Sequence, residues 1–93
     1  MVVGILTVEL YIPGNNSLKE KRRLLKSLIE RMKNRFNVSV AEVGENDKYR
    51  KALLGIAVVS NEKSHADAVL NHVVDFVQSN GHMEIAHLEM ELL

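Results

Sequence analysis

Four histidines, a few pairs of carboxylates and one dense run of cations are the side chains in this 93-residue sequence whose types and spacing could do chemistry. His65 and His72 stand seven residues apart on what reads as one helix, and His82 and His87 lie beyond it. Zinc ligands sharing a helix need spacings of three or four. The histidines therefore read as boundary and surface residues, no metal site is expected, and the chain should fold without a metal. Glu89 and Glu91 share one face of a strand, and Glu9 on another strand could join them. Acid–base catalysis needs two carboxylates in unlike environments, one with a raised pKa, which solvated strand carboxylates do not provide. No nucleophile elbow, P-loop or dinucleotide-binding glycine motif is present, and no serine has a visible activating partner. Absence of cysteine excludes a thiol nucleophile, a disulfide framework, a zinc ribbon and an iron–sulfur site. No catalytic residue and no cofactor is expected, and the chain reads as a non-enzyme.

The cations are more informative. Eight of the twelve Lys and Arg fall between Lys19 and Arg35, opposed there only by Glu20 and Glu30, so this segment carries +6. The remainder holds four cations and ten acids, hence −6, and the net charge of zero hides a strong asymmetry. Lys19 with Arg23, Arg22 with Lys26 and Arg31 with Arg35 are like charges four apart. Each such pair destabilises a helix by a few tenths of a kcal/mol, so a helix chosen for stability alone would alternate signs. Lys19, Lys21, Arg22, Arg23, Lys26 and Lys33 are the candidate anion- or nucleic-acid-binding residues. Just ahead of them, Pro13, Gly14, Asn15, Asn16 and Ser17 lead into a helix start whose free N–H groups favour an anion. The competing reading is a solvated face, balanced by the acidic remainder of the chain.

Those residues must be positioned by a small set of elements. Residues 2–12 are β-branched and apolar and end at Pro13-Gly14, a strand followed by a turn. Ser17 and Glu20 have the spacing of a capping box. Leu18, Leu25, Leu28, Ile29 and Met32 then fall in one arc at about 100° per residue, predicting a helix over 17–34. Residues 36–43 and 50–59 read as strands joined by the polar turn at 44–47, too close for a crossover helix and therefore a hairpin. Ser60 or Asn61 is expected to cap a second helix with Ala66, Val69, Leu70, Val73, Phe76 and Val77 on its buried face. Gly81 is expected as its left-handed C-terminal cap. Residues 83–92 close the series, with Ala86, Leu88, Met90 and Leu92 alternating against His87, Glu89 and Glu91.

The order β-α-β-β-α-β predicts an α+β, ferredoxin-like sandwich over residues 1–93 as one domain. Its four-stranded antiparallel sheet should have the order 4-1-3-2, with both helices on one face. Strands 1 and 3 are apolar on both sides, whereas two helices cover one face only. A homodimer or higher oligomer, formed through the open sheet face or an edge strand, is expected. No apolar run approaches the roughly 20 residues of a membrane span. The N-terminal run lacks the basic region and cleavage site of a signal peptide, so a cytoplasmic protein is expected.

The stretch SLKEKRRLLKSL from Ser17 to Leu28, with RFNVSVAEV and ALLGIAVVS, resembles the YlxP-like family of small bacterial proteins. The resemblance covers essentially the whole chain. It implies a domain of unknown function with a ferredoxin-like fold, encoded near translation factors and a ribosome-maturation factor. It implies no catalytic or ligand residues. With the basic helix it points to a non-enzymatic RNA-binding or ribosome-associated protein. The alternative is a small-molecule-binding or regulatory module acting as a homodimer. An RNA-recognition-motif mode is excluded, because that mode stacks bases on aromatics of the central strands and strand 3 has none.

Overall fold

Alternating β-branched and aliphatic residues build the central pair of strands, β1 (Val2–Tyr11) and β3 (Lys51–Ser60), in a computed structural model that describes residues 1–93. They pair antiparallel from Val2 opposite Ser60 to Tyr11 opposite Lys51. β2 (Ser39–Gly44) flanks β3 and β4 (Glu84–Leu92) flanks β1, both antiparallel, giving the order β2-β3-β1-β4. This is the predicted topology. α1 (Leu18–Arg35) and α2 (Lys63–Gln78) cover one face. Leu6, Val8, Leu10, Leu54 and Ile56 point into the core, against Leu25, Leu28 and Met32 of α1 and Leu70, Val73 and Val77 of α2.

Several boundaries differ from the expectation. β2 begins at Ser39 because Phe36 ends α1, its N–H donating to the Met32 carbonyl at 2.9 Å. α2 starts after Glu62, which makes no side-chain cap. Ser60 instead accepts from the Glu62 N–H at 3.1 Å, a local turn that precedes the helix. Gly81 is not left-handed. α2 ends through Ser79 in a right-handed conformation, and the Asn80 side chain then accepts from the His82 N–H, so the turn closes without a left-handed residue. Ala86 is exposed rather than inward. The register with β1 slips between Glu9 and Leu10, so Ile85 takes the inward place opposite Leu10 and Ala86 becomes the extra residue of a bulge.

Gly4 is the tightest point of the β1–α2 contact. A Cβ there would lie 2.9 Å from Leu70 Cδ1 and 3.0 Å from Val58 Cγ1. Gly4→Ala is expected to lower stability by about 1–3 kcal/mol, the usual effect of overpacking. Gly55 faces the open side, where its added Cβ would meet only Val43 Cγ1 at 3.1 Å, an exposed side chain that can give way. Gly55→Ala should therefore be much milder. Denaturant midpoints of the two variants check the contrast, and equal losses would contradict it.

The second sheet face is apolar on its β3–β1 half. Val3, Ile5, Leu53 and Ala57 are half-buried, and Val59 is 64% exposed. Its β4 half is acidic, with Glu91 opposite Ile5 and Glu89 opposite Thr7.

Candidate nucleic-acid interface

Ser17 fixes where α1 begins, its Oγ accepting from the Glu20 N–H at 3.2 Å. Glu20 does not return the bond to complete the capping box. Its carboxylate takes the Arg23 Nε–H at 3.1 Å from each oxygen and pairs with Nη2 as well. Hydrogen bonding from Arg23 holds the Glu20 carboxyl below its ordinary pKa, and the same bond raises that of Arg23.

The helical step then brings Lys19, Arg22, Arg23, Lys26 and Lys33 to solvent. The ion pairs of the molecule are Lys21–Glu42, Arg23–Glu20, Lys48–Glu45 and His87–Glu89. Lys19, Arg22, Lys26 and Lys33 are thus exposed and unpaired. Arg23 is exposed and paired only within its own turn.

Lys21 is a correction to the predicted set. It is 1% exposed, its ammonium donating to the Glu45 carbonyl at 2.6 Å and pairing with Glu42 Oε2 at 3.0 Å. Its phase explains this. Lys21 stands three after Leu18 and four before Leu25, inside the apolar arc, so its stem packs in the core and its charge emerges at the inner side of edge strand β2. It is unavailable to a polyanion.

The loop ahead of α1 is likewise structural. Gly14 takes the left-handed φ of 71°, and the buried Asn15 donates to the Ser17 carbonyl at 3.0 Å and the Tyr49 carbonyl at 2.5 Å. Asn15 thereby joins the helix start to the β2–β3 hairpin.

At the other end of α1, Arg31 and Arg35 serve a purpose that their charge alone did not reveal. Phe36 and Phe76 meet edge to face with centroids 5.8 Å apart, and Arg31 and Arg35 lie 5.9 and 5.6 Å from the Phe76 centroid. These cation–π contacts seal the seam between the helices. The aromatic residues at the two helix C-terminal ends were the available signal. Arg23, Ser27 and Arg31 also line a cleft of about 380 Å³ against Asn80 and His82 of the α2–β4 loop, which extends the basic face.

The other candidate groups stay apart. His65, His72 and His82 are exposed, and His87 lies 3.2 Å from Glu89. No three His, Asp or Glu side chains are placed to hold a metal ion. Glu9, Glu89 and Glu91 lie on the open sheet face, away from the helices. No helix is long and apolar enough to cross a membrane.

Residues 3–90 match the family described as Protein of unknown function (DUF503). The chain belongs to this family. It is also similar to the Uncharacterized protein YlxP of Bacillus subtilis (strain 168), 37% identical over 78 residues that cover 84% of this chain and 85% of that protein. Among solved structures, a de novo designed protein with ferredoxin fold superposes with TM-score 0.57 at 10% identity, covering 100% of this chain and 84% of the design. A dimeric ferredoxin-like protein from an uncultured marine organism gives 0.55 at 9% identity, covering 100% and 96%. At such identities the likeness carries the fold of this DUF503 chain and nothing about its ligands.

Proposed function

We propose that this DUF503 protein is a non-enzymatic, cytoplasmic RNA-binding or ribosome-associated protein that uses the solvent face of α1. The carrying observation is that Lys19, Arg22, Lys26 and Lys33 are exposed and have no carboxylate partner, although the chain has as many acids as bases. A face kept merely neutral would recruit some of those acids. Instead the β4 carboxylates sit on the opposite side of the sheet. Unpaired cations on a rigid helix release counterions when they meet phosphates, which gives affinity with little base reading. The test is affinity capture from cell extract at low and high salt. Ribosomal material retained at low salt and lost at high salt supports the reading. None at either salt overturns it and moves the small-molecule alternative ahead.

A homodimer through the open sheet face is a second proposal, favoured by the Val3, Ile5, Leu53, Ala57 and Val59 surface that no helix covers. The β2 edge is ill suited to pairing, because Glu42 points inward there and the strand bulges before Gly44. Light scattering at micromolar concentration should give twice the chain mass for the wild type. Ile5→Lys with Val59→Lys should give a folded monomer. A monomeric wild type would exclude this proposal.

A further inference from the structure

Besides the histidines, the two tyrosines are the only aromatic side chains outside the Phe36–Phe76 seam, and both reach solvent at one end of the sheet. Tyr11 is 37% exposed and Tyr49 51%. Tyr11 stands opposite Lys51 in the β1–β3 ladder, and the Ile12 N–H donates to the Arg50 carbonyl at 2.8 Å, so the segments carrying the two rings run side by side.

Cations flank Tyr49. A cleft of about 450 Å³ is lined by Asn16, Asp47, Lys48, Tyr49, Arg50 and Lys51. Arg50 is held in place, Nε donating to the Asn15 carbonyl at 3.0 Å and Nη2 to Asn16 Oδ1 at 2.8 Å. Lys51 is exposed and unpaired, Lys48 is paired with Glu45 at 3.1 Å, and Asp47 is the one carboxylate in the lining.

The hairpin that presents Tyr49 is rigidly tied. Asn15 holds the Tyr49 carbonyl, Lys21 holds the Glu45 carbonyl, and Glu45 keeps a left-handed φ of 61° unusual for a residue with a side chain. Both bonds run to the first turn of α1 or the loop before it. This end of the sheet is therefore continuous with the basic face.

We infer that this end is a second contact for RNA, specific for unpaired nucleotides: Tyr49 stacks on a base while Arg50 and Lys51 hold the adjoining phosphates. The inference rests on the RNA reading of α1 and adds to it the single-stranded character of the ligand. Helix cations meet phosphates of paired and unpaired RNA alike, whereas a tyrosine ring can stack only on a base that is free of its own helix. Stacking is worth about 1–3 kcal/mol per base.

The chain has no tryptophan, so tyrosine emission reports on this end of the molecule alone. The probes are an oligouridylate of roughly ten nucleotides and a blunt RNA duplex of equal length. Binding is followed by anisotropy of a labelled probe and by absorption-corrected tyrosine emission. The oligouridylate should quench the emission and the duplex should not. Tyr49→Leu should weaken oligouridylate binding about fivefold to a hundredfold, from the stacking range at 1.4 kcal/mol per decade. It should leave duplex binding and the salt slope unchanged, and Tyr49→Phe should bind like the wild type. Salt-dependent binding of both probes with no quenching, or with Tyr49→Leu binding like the wild type, overturns the stacking site and leaves the α1 reading intact. Absence of binding to either probe overturns both.

Discussion

Arg22→Glu combined with Lys26→Glu should remove most RNA binding without loss of the fold. Both side chains are exposed, lie one turn apart on α1 and have no carboxylate partner, so no ion pair is broken. The new carboxylates would lie in the N-terminal half of the helix, where its dipole tolerates negative charge, and Arg22→Glu would bring one within a turn of Lys19. The melting temperature is expected to stay level or rise slightly. With Lys21 buried, five cations of the predicted set remain exposed: Lys19, Arg22, Arg23, Lys26 and Lys33. If each neutralises one phosphate of single-stranded RNA, α1 contributes about −3.5 to the log–log salt slope, and its share of the affinity falls about a hundredfold between roughly 50 and 200 mM salt. Reversing two of the five brings the α1 contribution to about −2. Repulsion from the new carboxylates weakens binding further, by at least about tenfold at low salt. The control is Lys63→Glu with Ala68→Glu and Asn71→Asp, three exposed positions on α2 that change the net charge by the same amount. A general field effect would weaken binding equally in both variants and would refute a site on α1.

The strand order and the covered and open sheet faces were legible because period-2 and period-3.6 patterns are long and unbroken in this chain. Strand 3 is an example: Leu54, Ile56 and Val58 are buried, and Leu53, Ala57 and Val59 lie on the open face, as the alternation implied. What alternation does not encode is a slip of one residue. Ala86 fitted the pattern of β4 from Leu92 backwards, but the bulge opposite Glu9 and Leu10 hands the inward place to Ile85. Element ends differ from the pattern where a local hydrogen bond competes with the helix, as Ser60 does with the expected cap and the Asn80 side chain with the expected role of Gly81.

The candidate site was legible to a similar degree and for the same reason. Charge density located α1, and helical phase located its solvent face. Lys21 carries the charge of the solvent face but the helical phase of the apolar arc, and phase decides its place. Arg31 and Arg35 look like Lys33 in a count of cations, yet two aromatic rings brought to them by the fold make them part of the seam between the helices. Lys48, Arg50 and Lys51 lie outside the basic segment. Tyr49 stands among them in the chain itself, whereas their nearness to Tyr11 depends on the β1–β3 register, which spacing along the chain does not contain.

Lys21→Met should be the most destabilising single change of a charged residue in the protein. Lys21 spans from α1 to the inner side of β2, and Glu42 keeps 21% side-chain exposure while its Oε2 is buried without an aligned hydrogen-bond donor. The Lys21 ammonium at 3.0 Å is therefore what neutralises that oxygen. Methionine fills the volume of the stem and removes the charge, leaving a buried carboxylate oxygen and the Glu45 carbonyl without their cation. Removing one member of a buried pair costs about 3–5 kcal/mol. The residual exposure of Glu42 lowers this to about 2–3 kcal/mol, since water can reach part of the carboxylate. For a domain of this size that is a fall in melting temperature of roughly 10–20 °C. Removing both charges should be far gentler, because apolar replacement of a whole buried pair is often neutral. Lys21→Met with Glu42→Leu is accordingly expected to recover most of the loss. Thermal unfolding followed by circular dichroism of the two single variants and the double variant measures the coupling directly. Additive effects would show that Lys21 acts without coupling to Glu42, through its stem and its bond to the Glu45 carbonyl. Below its lowered midpoint, Lys21→Met should still bind RNA with the wild-type salt slope, because a buried ammonium releases no counterion when phosphates arrive.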